Sequence, residues 1–131
     1  MSWIDIAGAI CAGKHARTQV VTASIDALHF IAPIKLGHFV ELRATVNYTG
    51  RTSMEIGVKV ESEDPVSGRK YHNVSSYLTF VAVDVHGRPC EIPPLKPESE
   101  TEIRRNRAAV RRRASRVALA NELKSEEIKK P

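Results

Sequence analysis

Asp5 is the one carboxylate inside an otherwise apolar opening, Trp3-Ile-Asp-Ile-Ala-Gly-Ala-Ile10. An ionised carboxylate in such surroundings is costly unless partnered, so it either sits exposed at a helix start or is retained for chemistry such as general-base catalysis. The local pattern by itself favours the first reading, because an aspartate near a helix N-terminus interacts with free amides and the macrodipole. Other reactive groups are dispersed. His15, His29, His38, His72 and His86 show no metal-ligand spacing, no Ser-His-Asp arrangement can be deduced, and Cys11 and Cys90 lack C-x-x-C spacing. No metal site is expected. Gly50-Arg-Thr-Ser53 lacks the lysine and length of a phosphate loop and reads as a turn, although Arg51 and the two hydroxyls could bind phosphate oxygens.

These groups must be positioned by one domain, since 131 residues is the size of a single hydrophobic core. Hydrophobic residues at 42% and charged residues at 27% are close to globular averages, which excludes wholesale disorder. The apolar stretch Ile6 to Ala12 is far below the ~20 residues that cross a bilayer, and no targeting segment opens the chain. Two cysteines without a disulfide framework point to the reducing cytoplasm.

The spacing Ile6, Ala9, Ile10 and Gly13 predicts one buried face of a helix, whose small residues let a sheet approach closely. Gln19 to Leu28 is rich in β-branched residues. Phe39 to Thr49 alternates with the period of a half-buried strand, and Met54, Ile56, Val58 and Val60 alternate with Glu55, Gly57, Lys59 and Glu61. Tyr71 to Val85 is a further long strand, so the sheet is antiparallel and built from hairpins. Pro89, Pro93, Pro94 and Pro97 mark a connector, and Glu98 to Lys124 predicts a surface helix fraying toward Pro131.

Charge separates the two parts: residues 1 to 96 hold ten Lys/Arg against nine Asp/Glu, whereas 97 to 131 hold ten against six. Arg104 to Arg116 contains seven arginines and no acid, a pattern that could attract phosphate but more simply makes a solvated helix. It has no aromatic residue for base stacking, which argues against single-stranded nucleic acid. An open sheet also leaves a long edge, and pairing with a second copy would cover it, so a homodimer is expected.

Five ordered blocks resemble a known family: Trp3 to Ile10, Val20-Val-Thr-Ala-Ser-Ile-Asp26, Phe30-Ile-Ala-Pro-Ile34, Gly50-Arg-Thr-Ser-Met-Glu55, and Thr79-Phe-Val-Ala-Val-Asp84 with Gly87-Arg-Pro89. Together they look like the hotdog-fold acyl-CoA thioesterases of the YciA and brain acyl-CoA hydrolase type. The resemblance implies an α+β hotdog fold, in which a long central helix is wrapped by a curved antiparallel sheet. Residues 1–96 would form this domain and 97–131 an Arg-rich helical tail.

The resemblance further implies hydrolysis of acyl-CoA to fatty acid and CoA by a homodimer, often assembled as a trimer of dimers, with no cofactor and no membrane partner. Asp5 matches the family's catalytic carboxylate and would activate water or attack the thioester directly. Pantetheine is expected along Val21, Thr22 and Ala23, and the nucleotide portion near Gly50, Arg51, Thr52 and Ser53. Family members carry a strand and a loop with H-G-G or F-G-G amides before the central helix, whereas this sequence opens inside the helix motif. Loss of an oxyanion donor can cost about 10²–10³ in rate, so a noncatalytic CoA-binding or assembly module is the alternative expectation.

Overall fold

The computed structural model describes residues 2–129, apart from the side chains of residues 2, 26, 27, 120 and 124–129. Helix α1 spans Ser2–Ala16, and the strands are β1 Gln19–Phe30, β2 Phe39–Thr49, β3 Ser53–Glu63 and β4 Lys70–Val83; helix α2 spans Glu100–Lys129. The strands form one antiparallel sheet in the order β1-β4-β3-β2. β2, β3 and β4 make a meander, and β1 crosses to pair with β4. The expected α+β arrangement is therefore present, with α1 in contact with all four strands.

Two compact units are distinguished, residues 1–95 and residues 96–131. In the first, Met54, Ile56, Val58 and Val60 of β3 join Val74, Leu78, Phe80 and Ala82 of β4 in the buried core. Their alternation along each strand puts one apolar face toward α1, as the period of two requires. Glu55, on the alternate register, departs from the simple inward-outward pattern: it is only 1% exposed, between Cα partners Tyr48 and Thr79.

The helix meets the sheet on a different face from the one its larger side chains suggested. Ile4, Gly8, Ala12 and Ala16 are buried, whereas Ile6 and Ile10 remain 49% and 55% exposed. Small residues are selected on the buried side because the backbone comes very close to the strands. A Cβ added to Gly8 would stand 3.0 Å from Phe80 Cε2 and 3.1 Å from its Cζ. Gly13 has open space instead, so its small size has no comparable packing reason.

α1 stops at Arg17, whose N–H donates to Gly13 O at 2.9 Å and whose φ of 58° is left-handed. A residue with a Cβ pays roughly 1–2 kcal/mol for that conformation, which is usually given to glycine after a helix. Asp5 in the first turn and Lys14 and His15 in the last complement the helix dipole.

The second unit consists mainly of α2. Its start is set by a capping box: Glu102 N–H donates to Ser99 Oγ at 3.1 Å, while Glu102 Oε2 accepts from Ser99 N–H at 3.5 Å and Glu98 N–H at 2.9 Å. The helix continues to Lys129, beyond the predicted end at Lys124. Val110 and Val117 remain exposed on it, as the sparse apolar spacing implied. Among the described residues, no helix is long and apolar enough to cross a membrane.

The tight approach at Gly8 predicts the response to added volume. Gly8→Val should destabilise the chain by about 1–3 kcal/mol through overpacking against Phe80 and Val58. Gly8→Ala should cost less, and equilibrium urea denaturation measures both.

Candidate active site

The first turn of α1 and the beginning of β1 are brought together by packing across the sheet. Thr22 is the Cα partner of Phe80, and Phe80 in turn supports Gly8, one helical turn after Asp5. Asp5 consequently overhangs β1, where its Oδ1 accepts a hydrogen bond from Thr22 Oγ1 at 2.8 Å. Asp5 is half-buried and Thr22 exposed, so the pair is open to a reactant. The helix-cap reading of Asp5 is thus incomplete: its carboxylate is held by a side chain on another element.

Val21, Thr22 and Ala23 all lie exposed on β1, which is an edge strand of the sheet among the described residues. An edge presents backbone N–H and C=O groups that can pair with the amides of an extended ligand. The ladder is irregular between Thr22 and Ser24, so the backbone bends beside Asp5. Sequence reasoning assigned Thr22 only a ligand-binding role. Its contact with Asp5 carries no local signal, because the two residues are 17 positions apart and meet only after α1 has folded back on β1.

The turn Gly50 to Ser53 lies at the same end of the sheet. Ser53 pairs with Val81, which pairs with Val21, so the turn is two strand spacings, about 10 Å, from β1. Gly50 N–H donates to Ser53 O at 2.7 Å, and Thr52 O accepts from Ala82 N–H at 3.0 Å. Arg51 remains 83% exposed, with Nε 3.9 Å from Glu91 Oε1. The structure brings Asp5 into direct contact with Thr22, and places the turn near them without joining it to the pair.

Other potential nucleophiles and bases have different surroundings. Cys11 lies in an open groove on the β2 side of α1, with Ala7, Ile10, Lys14, Leu42 and Ala44. Burial pushes its thiol pKa up, with the nearby Lys14 charge acting in the opposite direction. A thiol held protonated is a poor nucleophile. His15 Nε2 is 2.7 Å from Pro93 O, His38 stacks on Tyr71, and His72 Nε2 is 2.8 Å from Ser75 Oγ. Among the described residues, no group of three or more His, Cys, Asp or Glu side chains could hold a metal ion.

A helix laid on a four-stranded antiparallel sheet, with a carboxylate and a hydroxyl hydrogen-bonded at its edge, defines an α+β protein with a polar pair open to solvent. Comparison with known proteins identifies the class. A sequence model described as Thioesterase superfamily matches residues 1–68, and the chain belongs to that family. It is 40% identical over 130 residues to the uncharacterized acyl-CoA thioester hydrolase YkhA of Bacillus subtilis, covering 94% of this chain and 76% of the relative.

Among solved structures, the acyl-CoA hydrolase of Staphylococcus aureus in complex with butyryl coenzyme A, coenzyme A and coenzyme A disulfide is 40% identical. Its TM-score is 0.87, with 96% of this chain and 77% of that chain covered. Variants of the S. aureus protein replace an asparagine, a threonine or an aspartate with alanine. An apo-hexameric acyl-CoA thioesterase gives a TM-score of 0.88 at 40% identity, covering 91% of this chain and 76% of the other.

The burial of Cys11 predicts its titration. Because its folded pKa is raised, alkylation by iodoacetamide should be slower than in the urea-unfolded chain at pH 8, and its pH profile should be displaced upward. Mass-spectrometric rates for the Cys11 peptide check both the direction and the site.

Proposed function

We propose that this chain hydrolyses acyl-CoA thioesters to a free carboxylic acid and CoA, with Asp5 assisting attack by water. The observation that carries the mechanistic reading is the 2.8 Å contact from Thr22 Oγ1 to Asp5 Oδ1 at the open edge of β1. The hydroxyl donates to one carboxylate oxygen and leaves the other oriented to take a proton. Water attacks the thioester carbonyl while Asp5 removes its proton, and the tetrahedral intermediate then expels CoA thiolate. Transfer of the proton from Asp5 to sulfur completes the cycle, without a metal or redox cofactor.

Direct attack by Asp5, forming a mixed anhydride with release of CoA thiolate and then hydrolysed by water, is the second possibility. Hydrogen bonding to Thr22 orients the carboxylate for either role, since it lowers the basicity and the nucleophilicity of Asp5 alike. The separation of Asp5 and Thr22, 17 positions, equals that between the aspartate and threonine substituted in the S. aureus hydrolase. This equality supports functional roles for both residues here.

The exposed Val21 to Ala23 edge is suited to receive pantetheine, and Gly50, Arg51, Thr52 and Ser53 to receive the nucleotide end. Trp3, Ile6 and Ile10 on α1 and Val21 and Ile25 on β1 remain exposed apolar side chains. A second copy packed against these apolar side chains would cover them, and the hexameric relative supports a homo-oligomer. We assign the thioesterase domain to residues 1–96 and the Arg-rich tail to 97–131. The free thiols Cys11 and Cys90 support a cytoplasmic location. Similarity to acyl-CoA hydrolases weighs against the noncatalytic alternative.

Asp5→Asn should lower kcat/KM for acyl-CoA by at least about 10²-fold, the lower range for loss of a general base, while leaving circular dichroism unchanged. Thiol release followed across an acyl-chain series measures it; undiminished turnover in Asp5→Asn would remove Asp5 from the mechanism. Thr22→Val should lower kcat by roughly tenfold, the scale of losing about 1.4 kcal/mol of hydrogen bonding to a charged group. Thr22→Ser should retain most activity.

A further inference from the structure

The connector between β1 and β2 carries large apolar side chains into solvent. Phe30 is 76% exposed, Ile31 59% and Ile34 49%, and Leu36 is wholly exposed. Single apolar side chains are ordinary on a protein surface, but these four fall within seven consecutive positions. A cluster of that kind marks an interaction surface.

A buried side chain holds the connector in place. Asn73 of β4 is 0% exposed, and its Nδ2 donates to Pro33 O at 3.2 Å and to Ala32 O at 3.3 Å. Its backbone carbonyl accepts from Ile31 N–H at 2.8 Å and from Ala32 N–H at 3.4 Å. Without the amide, two connector carbonyls would lose their partner. Asn73 Oδ1 itself has no hydrogen-bond partner among the described residues, so the clamp persists although it leaves a buried acceptor unsatisfied.

The rest of the connector is equally constrained. Pro33 fixes its own φ and restricts Ala32, while Gly37 turns the chain at φ 87° and His38 N–H donates to Lys35 O at 3.3 Å. The apolar side chains are thus presented on a preorganised backbone, which lowers the ordering cost of association.

Continuity indicates what covers them. Ile25 and Phe30 of β1 are the Cα partners of Leu78 and Val74, both core residues on the α1 side of the sheet. Cross-strand partners share a face, so Ile25, Phe30 and the connector continue one apolar run along that side of β1. Ile25 already belongs to the surface assigned above to a second copy. The charge pattern agrees: between Phe30 and Leu36 the sole charged residue is Lys35, too little for an anionic bilayer to hold by electrostatics.

We propose that Phe30, Ile31, Ile34 and Leu36 form a contact surface for a second copy of this chain, and that Asn73 is the positioning residue that presents it. The proposal rests on the homo-oligomer reading for its partner. In a symmetric pair the same patch is used by both copies, so each substitution acts twice.

Sedimentation velocity over a concentration series tests this with the parent chain, Ile34→Glu/Leu36→Glu, Asn73→Ala and the triple variant. The charged loop variant should raise the dissociation constant of the assembly by about 10²-fold or more, with the far-UV circular dichroism of the parent. Asn73→Ala should weaken association by roughly tenfold and add nothing in the triple variant, because it acts through the loop. An additive loss would overturn the positioning role of Asn73.

Parent-like association of the loop variant overturns the contact surface and leaves the homo-oligomer reading standing, whereas a parent chain that is monomeric throughout the series overturns both. Flotation with phosphatidylserine vesicles tests the other occupant. Capture of the parent that is lost in Ile34→Glu/Leu36→Glu, with association unchanged, would assign the loop to lipid and overturn the proposal.

Discussion

The contact of Phe80 with the backbone of α1 at Gly8 is the constraint on which the site depends. Phe80 is also the Cα partner of Thr22, so the same residue sets the height of the helix and the position of the edge strand beneath Asp5. A larger residue at position 8 would require α1 or the Phe80 ring to shift by a few tenths of an ångström. A hydrogen bond of 2.8 Å between Asp5 and Thr22 has little tolerance for that movement. Packing density therefore sets the geometry of the Asp5–Thr22 pair.

The arrangement also separates functions around the helix. One side of α1 directs Asp5 toward β1, and the other holds Cys11 against the β2 side, where burial keeps the thiol protonated. The underside carries Ile4, Gly8, Ala12 and Ala16 into the sheet. What remains is an exposed apolar stripe of Trp3, Ile6 and Ile10, a surface that an isolated protomer leaves in water. The Asp5–Thr22 pair, the packed underside and the exposed apolar stripe thus occupy different faces of fifteen residues.

Much of the fold was legible because period-two alternation is strong in this chain. β2 runs from Phe39 to Thr49 as its side-chain alternation predicted, and the core set of β3 is Met54, Ile56, Val58 and Val60. The helix face was less legible. Ile6 and Ile10 have the stronger hydrophobic signal, but the sheet selects the glycine–alanine side because it permits a closer approach. Glu55 is similarly hidden from pattern reasoning: polarity suggested an outward residue, yet the fold buries it.

Sequence alone determined which stretches form the long strands, although β1 continues to Phe30 and β4 stops at Val83, short of the expected Val85, together with the turn at Gly50 to Ser53, the helical tail and, through ordered motif blocks, the suspicion that Asp5 matters. These are properties of local spacing, which the chain carries wherever it folds. Only the tertiary structure decided that Asp5 shares a hydrogen bond with Thr22 and that Cys11 is held away on the other side. Those relations arise from strand order and register, where residues far apart in the chain become neighbours through hydrogen-bonded ladders that no one-dimensional pattern records.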